Sequence, residues 1–479
     1  MADSGRRPSR RAFLTTSATL ATAGAIGAAV PAAARADVPE ATDNWPPGPG
    51  QPIVPQAPDG ELIRLLGEID PARMRATIEK LVSFGTRHTL SSQDDPARGI
   101  GAATNWVFQQ MQAIAATSGG RMTVEKQTFI QPVASRIPVP TPITNVIATL
   151  RGSASPDRIY LVSGHIDSRV TDVMNFTADA PGADDDGSGV AAMMELARVM
   201  ATRAPKATIV FVGVAGEEQG LYGSAFMAKQ YKAANADIQG MFSNDIIGSS
   251  TADDGARDPH HIRLFAEGVP TSETPAQASI RQSVGGEGDS SSRQLARFVT
   301  DVASNGLTGM TVEVIYRRDR YLRGSDHLSF LQQGYPANRF TEPNENFAHE
   351  HQDVRVENGV QFGDLIEFVD FDFLGRVTQV NAAALWSLAN APGTPKHVVI
   401  DTTQLTNDST LRWDQGTEAD LAGYEVVWRS STEPDWTRRI PVGNVTTATI
   451  DLSKDNVFFG VRAVDRDGHR SPVAFPVPG

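Results

Sequence analysis

The sequence predicts an α/β fold, a mostly parallel central sheet covered by helices on both faces, followed by a small all-β sandwich. Three observations predict it. The chain has 479 residues, more than one ordinary core holds. Between about residues 70 and 390, short apolar runs bounded by turns alternate with stretches of helical period, the pattern of a sheet buried on both faces. Beyond Pro392-Gly393 the helical period disappears and only short alternating strands follow.

The elements follow in chain order. Ser9-Arg10-Arg11-Ala12-Phe13-Leu14, the apolar stretch Leu14 to Val30 and Ala34-Arg35-Ala36 together predict a twin-arginine signal peptide over residues 1–36. The expected product is exported already folded, is secreted or held at the cell envelope, and has no stable membrane insertion once the signal is gone. Residues 37–60 form a Pro-rich leader, DNWPPGPGQPIVPQAP, read as extended rather than packed. A helix is expected from Asp70 to Ser83, opened by Pro71, and a second from Gly101 to Ala116. Strands are expected at Asn145–Leu150, Arg158–Ser163, Thr208–Val214 and Met241–Ile247, with helices at 188–203, 220–232 and 290–303. A last helix, Phe362 to Ala389, stops at Asn390-Ala391-Pro392-Gly393 and closes a domain over residues 61–391. In residues 396–479, Trp413 and the run Val457–Val464 look like a fibronectin type III module, with Phe459 where such modules usually carry tyrosine.

Composition narrows the function. A formal charge of −13 argues against nucleic acid as a partner, because affinity for it comes from clustered Lys and Arg on phosphates. There is no cysteine, so disulfides and thiolate ligands are impossible, and a metal can be held only by His, Asp and Glu.

Those residue types gather where the predicted strands end. Gly164-His165-Ile166-Asp167 follows one strand and Glu217-Glu218 follows another; Asn244-Asp245 sits in a third. Gly182-Ala183-Asp184-Asp185-Asp186-Gly187-Ser188-Gly189 leads into a helix, and His349-Glu350-His351-Gln352-Asp353 lies in a polar loop. Each segment alone has a structural explanation, such as a helix cap for DDDGSG or a solvated surface for the paired glutamates. Together, outside the carboxyl ends of one sheet, they occupy the place where such sheets bind ligands. Two histidines and three carboxylates exceed what one four-coordinate zinc takes, and suit two ions sharing a carboxylate and a water. The cations would also make the crowding of Glu217 against Glu218 favourable: one binds metal, the other takes a proton.

The motifs resemble those of the M28 family of dizinc peptidases, close in pattern to bacterial secreted aminopeptidases. GHID is similar to the family's GHxD, GADDDGSG to its GADDDxSG, AGEE to its xGEE, SNDIIG to its NxDMxG, GSDHLSF to its SDHxxF and HEHQD to its HxxxD. The resemblance implies the zinc exopeptidase fold, a peptide substrate and two Zn²⁺ per chain. It implies that His165 and Asp245 bind one zinc, that Glu218 and His349 bind the other, and that Asp185 bridges them. His351 lies two residues beyond His349, and only the HxxxD spacing to Asp353 chooses between them. Glu217 would be the general base, and Asp167 a carboxylate behind His165 that fixes its ring. Ser325, Asp326 and His327 are read as support for the pocket.

The resulting expectation is an exported aminopeptidase. A carboxypeptidase or dipeptidase of the same family would share its metal residues. Glutaminyl cyclases share the fold but resemble a one-metal arrangement, against which both His165 and Asp245 argue. A secreted binding protein, docked on a cell wall or polymer through its C-terminal module, is the alternative of another class. A serine hydrolase lacks its G-x-S-x-G elbow here.

Overall fold

Eight strands form the central sheet of the computed structural model, which describes residues 45–479. The twin-arginine segment and residues 37–44 of the leader lie outside the described residues. The strands are β1 (Met122–Gln131), β2 (Thr141–Leu150), β3 (Ser155–His165), β4 (Ala207–Val214), β5 (Asp237–Asn244), β6 (His261–Phe265), β7 (Thr311–Ile315) and β8 (Ala337–Thr341). Their order across the sheet is β1-β2-β4-β3-β5-β8-β6-β7. Strands β4, β3, β5 and β8 run parallel, as do β6 and β7. β1 pairs antiparallel with β2, β2 with β4, and β6 with β8.

Nine helices complete the α/β part among the described residues: α1 (Gly60–Gly67), α2 (Pro71–Val82), α3 (Ile100–Ala116), α4 (Gly187–Ala201), α5 (Tyr222–Ala233), α6 (Pro275–Val284), α7 (Ser291–Ala303), α8 (His327–Gln332) and α9 (Phe371–Asn390). Every residue of β4 is buried, as a strand covered on both faces requires. Tyr160, Val162, Ile209 and Phe211 pack into the layer of α1–α4, α7 and α9, whereas Leu161, Val210 and Val212 pack against α5 and α8. The two-residue alternation of side chains along each strand thus feeds two apolar layers.

Two expectations differ from the structure in this part. The last helix starts at Phe371, not Phe362. Asp370 is its N-cap, accepting from Phe373 N at 3.0 Å, and the residues before it turn at Gly363 and through a short 3₁₀ turn, Ile366–Phe368. The sequence predicts no strand at β1, β6, β7 or β8; β1 is an edge strand that buries only Met122 fully and shows Glu125 and Lys126 to solvent.

Two four-stranded sheets form the C-terminal sandwich, around Leu411, Trp413, Tyr424, Val426, Trp428, Phe459 and Val461. The leader is not loose. Gln51 and Pro52 pair antiparallel with Arg439 and Arg438 at the edge of one sheet, where a proline costs no ladder bond. Trp428 Nε1 donates to the Pro49 carbonyl at 2.7 Å. The sandwich docks on the α/β part through buried polar contacts. Asp289 accepts from Arg297 and from Arg429, each at 2.7 Å, Arg158 pairs with Glu418 at 2.7 Å, and Trp436 Nε1 donates to Gln294 Oε1 at 2.8 Å. No helix among the described residues is long and apolar enough to cross a membrane.

Candidate active site

Parallel strands β3, β4 and β5 end side by side, so whatever follows them collects at one edge. His165 is the last residue of β3, Glu217 and Glu218 come just after β4, and Asp245 directly follows β5. The Asp184-Asp185-Asp186 turn joins them because α4 starts against β3. A Cβ on Gly164 would lie 2.3 Å from the carbonyl carbon of Gly189, so this approach requires glycine. Asp186 stitches the two elements, accepting from Gly189 N at 2.9 Å and from His165 N at 2.7 Å. Asp184 accepts from Gly248 N at 2.7 Å. Asp364 accepts from the N–H groups of Asp184 and Asp185, both at 2.8 Å. With its neighbours committed to these bonds, Asp185 faces the histidines.

His165 Nδ1 donates to the main-chain oxygen of Asp167 at 3.0 Å. The lone pair of Nε2 therefore faces Asp185 Oδ1 at 3.0 Å, with Asp245 Oδ1 at 4.0 Å. The other oxygen of Asp185 lies 2.7 Å from His351 Nε2, which is also 3.2 Å from Glu218 Oε1. One carboxylate thus stands between two imidazoles. Asp185 Oδ1 is buried and has no hydrogen-bond donor. A lone pair held against a donorless carboxylate oxygen fits a divalent cation between them, and the nitrogen and oxygen donors suit zinc. His165, Asp185 and Asp245 bring ligand atoms within 4.8 Å of one another, as do Asp185, Glu350 and His351.

The structure brings His351, and not the expected last ligand His349, to Asp185 and Glu218. The His349 ring stacks on Phe368, centroids 3.5 Å apart and planes 8° from parallel, and lines a different cleft with Glu342 and Asp364. His351 sits at φ +53°, a left-handed turn that carries its side chain to Asp185 instead. Asp353, the residue whose spacing selects His349, bonds elsewhere through its backbone, donating its N–H to Thr171 Oγ1 and accepting from Arg355 at its carbonyl, both at 3.2 Å.

Asp167 lies in the cluster, in a different role from the one expected. Its carboxylate is 3.8 Å from His165 Nδ1, and the ring is fixed by the carbonyl instead. The carboxylate accepts from the N–H groups of Glu217 (3.2 Å) and Glu218 (3.0 Å) and from the Thr89 hydroxyl (3.0 Å). It therefore shapes the turn that presents both glutamates.

The two glutamates are driven apart electrostatically. Burial pushes Glu217 well above the usual carboxylate range, and the Asp245 and Glu218 charges add to it against the opposing His165. Burial acts the same way on Glu218, but His351 outweighs it and holds that carboxyl below its ordinary value. Neighbouring carboxyl groups with opposed shifts suit a base and a ligand.

Several contributors carried no sequence signal, because they stand outside the motifs. Arg339 of β8, fully buried, pairs with Asp245 Oδ1 at 3.0 Å and with Asp319 at 3.2 Å. Arg169 donates to Glu218 Oε2 at 3.0 Å, and its guanidinium lies 2.6 Å from His351 Nδ1. By contrast, two residues of the GSDHLSF motif do carry a sequence signal: Ser325 Oγ is 3.0 Å from Ser243 Oγ, and His327 Nε2 donates to the Arg318 carbonyl at 2.9 Å, beside the pocket. The pocket itself encloses about 810 Å³ and is lined by His165, Asp185, Glu217, Glu218, Asp245 and His351 at its acidic end.

Known proteins share this arrangement's sequence. The family model described as Peptidase family M28 matches residues 145–358, which hold every residue of the cluster. A probable zinc metalloprotease of Pyricularia oryzae is 56% identical over 448 residues, covering 92% of this chain and 89% of that one. The chain belongs to peptidase family M28. A second probable zinc metalloprotease, from Pyrenophora tritici-repentis, is 55% identical and covers 91% of each chain. Among solved structures, LapA of Legionella pneumophila is 19% identical with a TM-score of 0.50, covering 71% of this chain and 78% of that one, a likeness of fold. As an M28 member the chain is a zinc metallopeptidase, and its α/β part has the zinc exopeptidase fold.

Proposed function

We propose that this M28 peptidase is an exported aminopeptidase with two zinc ions, one held by His165, Asp185 and Asp245, the other by Asp185, Glu218 and His351. The observation that carries the two-ion reading is Asp185, whose Oδ1 lies 3.0 Å from one histidine and whose Oδ2 lies 2.7 Å from another. Bound zinc supplies two things, a lowered pKa for water and polarisation of the scissile carbonyl. Glu217 takes the proton from the attacking water and returns it to the leaving amine, with its backbone held by Asp167. Arg339 keeps Asp245 oriented, and Arg169 does the same for Glu218. The aminopeptidase reading rests on the resemblance of the motifs to those of secreted aminopeptidases of the family. Export rests on Ser9-Arg10-Arg11-Ala12-Phe13-Leu14, and the C-terminal sandwich is read as a fibronectin type III-like module.

A carboxypeptidase or dipeptidase is the second reading, favoured by the arginines that line the outer part of the same pocket. The test is hydrolysis of aminoacyl arylamides by the purified chain, with elemental analysis before and after a chelator. Two zinc ions per chain and chelator-sensitive cleavage are expected. Cleavage confined to C-terminal residues gives the second reading, and one ion per chain ends the dizinc one.

A further inference from the structure

The chain carries a formal −13, yet six of the side chains lining the catalytic pocket are arginines: Arg136, Arg169, Arg317, Arg318, Arg320 and Arg323. Concentrating like charge at one mouth of an acidic protein is costly unless something neutralises it. Three of the six have carboxylate partners within the protein. Arg169 pairs with Glu218, Arg320 with Asp319 and Glu345, and Arg323 with Glu345 and Glu350. Arg136 donates to the main-chain oxygen of Glu218 at 2.9 Å. Among the described residues, Arg136, Arg317 and Arg318 form no ion pair.

The loop bearing Arg317 and Arg318 is built to hold them there. Asp319 is buried and paired with Arg339, which also holds Asp245, so the loop is tied to a residue of the metal cluster. His327, also buried, donates to the Arg318 carbonyl at 2.9 Å. Arg317 stacks on Tyr321, its guanidinium carbon 3.9 Å from the ring centroid, and donates to that hydroxyl at 3.1 Å. The anchors are inside and the two guanidinium groups are at the surface, facing the pocket with donors to spare.

We propose that Arg317 and Arg318, assisted by Arg136, form a carboxylate-binding subsite, so that the preferred substrates are peptides with a carboxylate close to the scissile bond. This rests on the peptidase reading above. The carboxylate has three sources: an acidic first residue, an acidic second residue, or the free C-terminus of a dipeptide. Whichever it is, a guanidinium fork in a partly enclosed pocket recognises it by paired N–H···O bonds, and the attraction weakens with salt.

Four dipeptides separate the sources: Leu-Gln-NH2, without a carboxylate, against Glu-Gln-NH2, Leu-Glu-NH2 and Leu-Gln with a free carboxyl end. At low salt kcat/KM for at least one of the three anionic peptides should exceed that of the neutral one by about tenfold. That ratio should shrink at about 0.5 M NaCl. It should fall towards unity in Arg317→Gln/Arg318→Gln. The peptide that stands out names the source. Equal kcat/KM for all four in the wild type overturns the inference and leaves the peptidase reading intact, and so does a preference that survives the double substitution. If none is hydrolysed, the aminopeptidase reading fails. Calorimetric titration of the same four peptides into zinc-loaded Glu217→Gln protein then decides the subsite: tighter binding of an anionic peptide upholds it, and equal binding overturns it.

Discussion

His351 Nε2 lies 2.7 Å from Asp185 Oδ2, while His349, two residues earlier, is stacked on Phe368. His351→Ala should therefore leave about one zinc per chain after dialysis and lower kcat/KM by roughly a hundredfold or more. His349→Ala should keep the metal content of the wild type. Elemental analysis of both variants in parallel checks this, and a loss of zinc in His349→Ala alone would return the ligand role to that residue.

The opposed environments of Glu217 and Glu218 separate their variants. Glu217→Gln should retain zinc and lose kcat by about 10²–10⁴, the range that general base catalysis supplies. Glu218→Gln should instead lose zinc, with activity recovering as the metal is raised. The pair is read by metal content against kcat, and the reverse pattern would exchange the two roles.

Asp167 accepts two backbone N–H groups and the Thr89 hydroxyl in a buried turn. Asp167→Ala leaves those donors without an acceptor, a cost of about 1–3 kcal/mol each at most. A lower Tm should accompany a fall in kcat larger than the fall in zinc content. Thr89→Val removes only one of the three bonds and should give a milder version of both effects. An Asp167→Ala protein with wild-type Tm would contradict the bonding described.

A pH dependence is expected at the contact between sandwich and α/β part, away from the metal cluster. There Asp465 accepts from His469 Nδ1 at 3.0 Å and from Lys206 Nζ at 2.9 Å. The hydrogen bond to Asp465 raises the His469 pKa, against the effect of burial. A histidine whose folded pKa is raised stabilises fully below its unfolded value of about 6.5, and that stability is lost as pH rises through the folded pKa. Burial works against the Asp465 carboxylate, but His469 and Lys206 outweigh it and hold it below its ordinary value, so its contribution is present above about 3.9 and fades in stronger acid. Urea midpoints of wild type and His469→Ala should differ most between those two limits and converge as pH rises past the folded pKa of His469. A constant gap across pH would refute the assignment.

Much of the cluster was readable because parallel strands place their carboxyl ends together, so short polar motifs after apolar runs had one edge to share. What stayed hidden depended on loop geometry or on isolated side chains. Choosing His351 over His349 turns on a left-handed φ of +53° at His351, which no residue type announces. Arg339 sits mid-strand in an apolar setting, and Arg169 and Arg136 lie in connections without period. The start of α9 was misjudged because apolar residues from Phe362 onward mimic a helical face, while the cap that decides it is Asp370. The leader's proline content suggested an extended segment, and extended it is, but as a paired edge strand.

That edge strand has a bearing on assembly. Gln51 is hydrogen-bonded beside Arg439, so the two ends of the described chain close on each other late, after nearly everything between them has been synthesised. Gln51 and Pro52 have no strand partner until Arg438 and Arg439 have been made. Closure of that edge is therefore a late step, and a nascent chain cut short before Arg438 would leave Gln51 and Pro52 without their ladder.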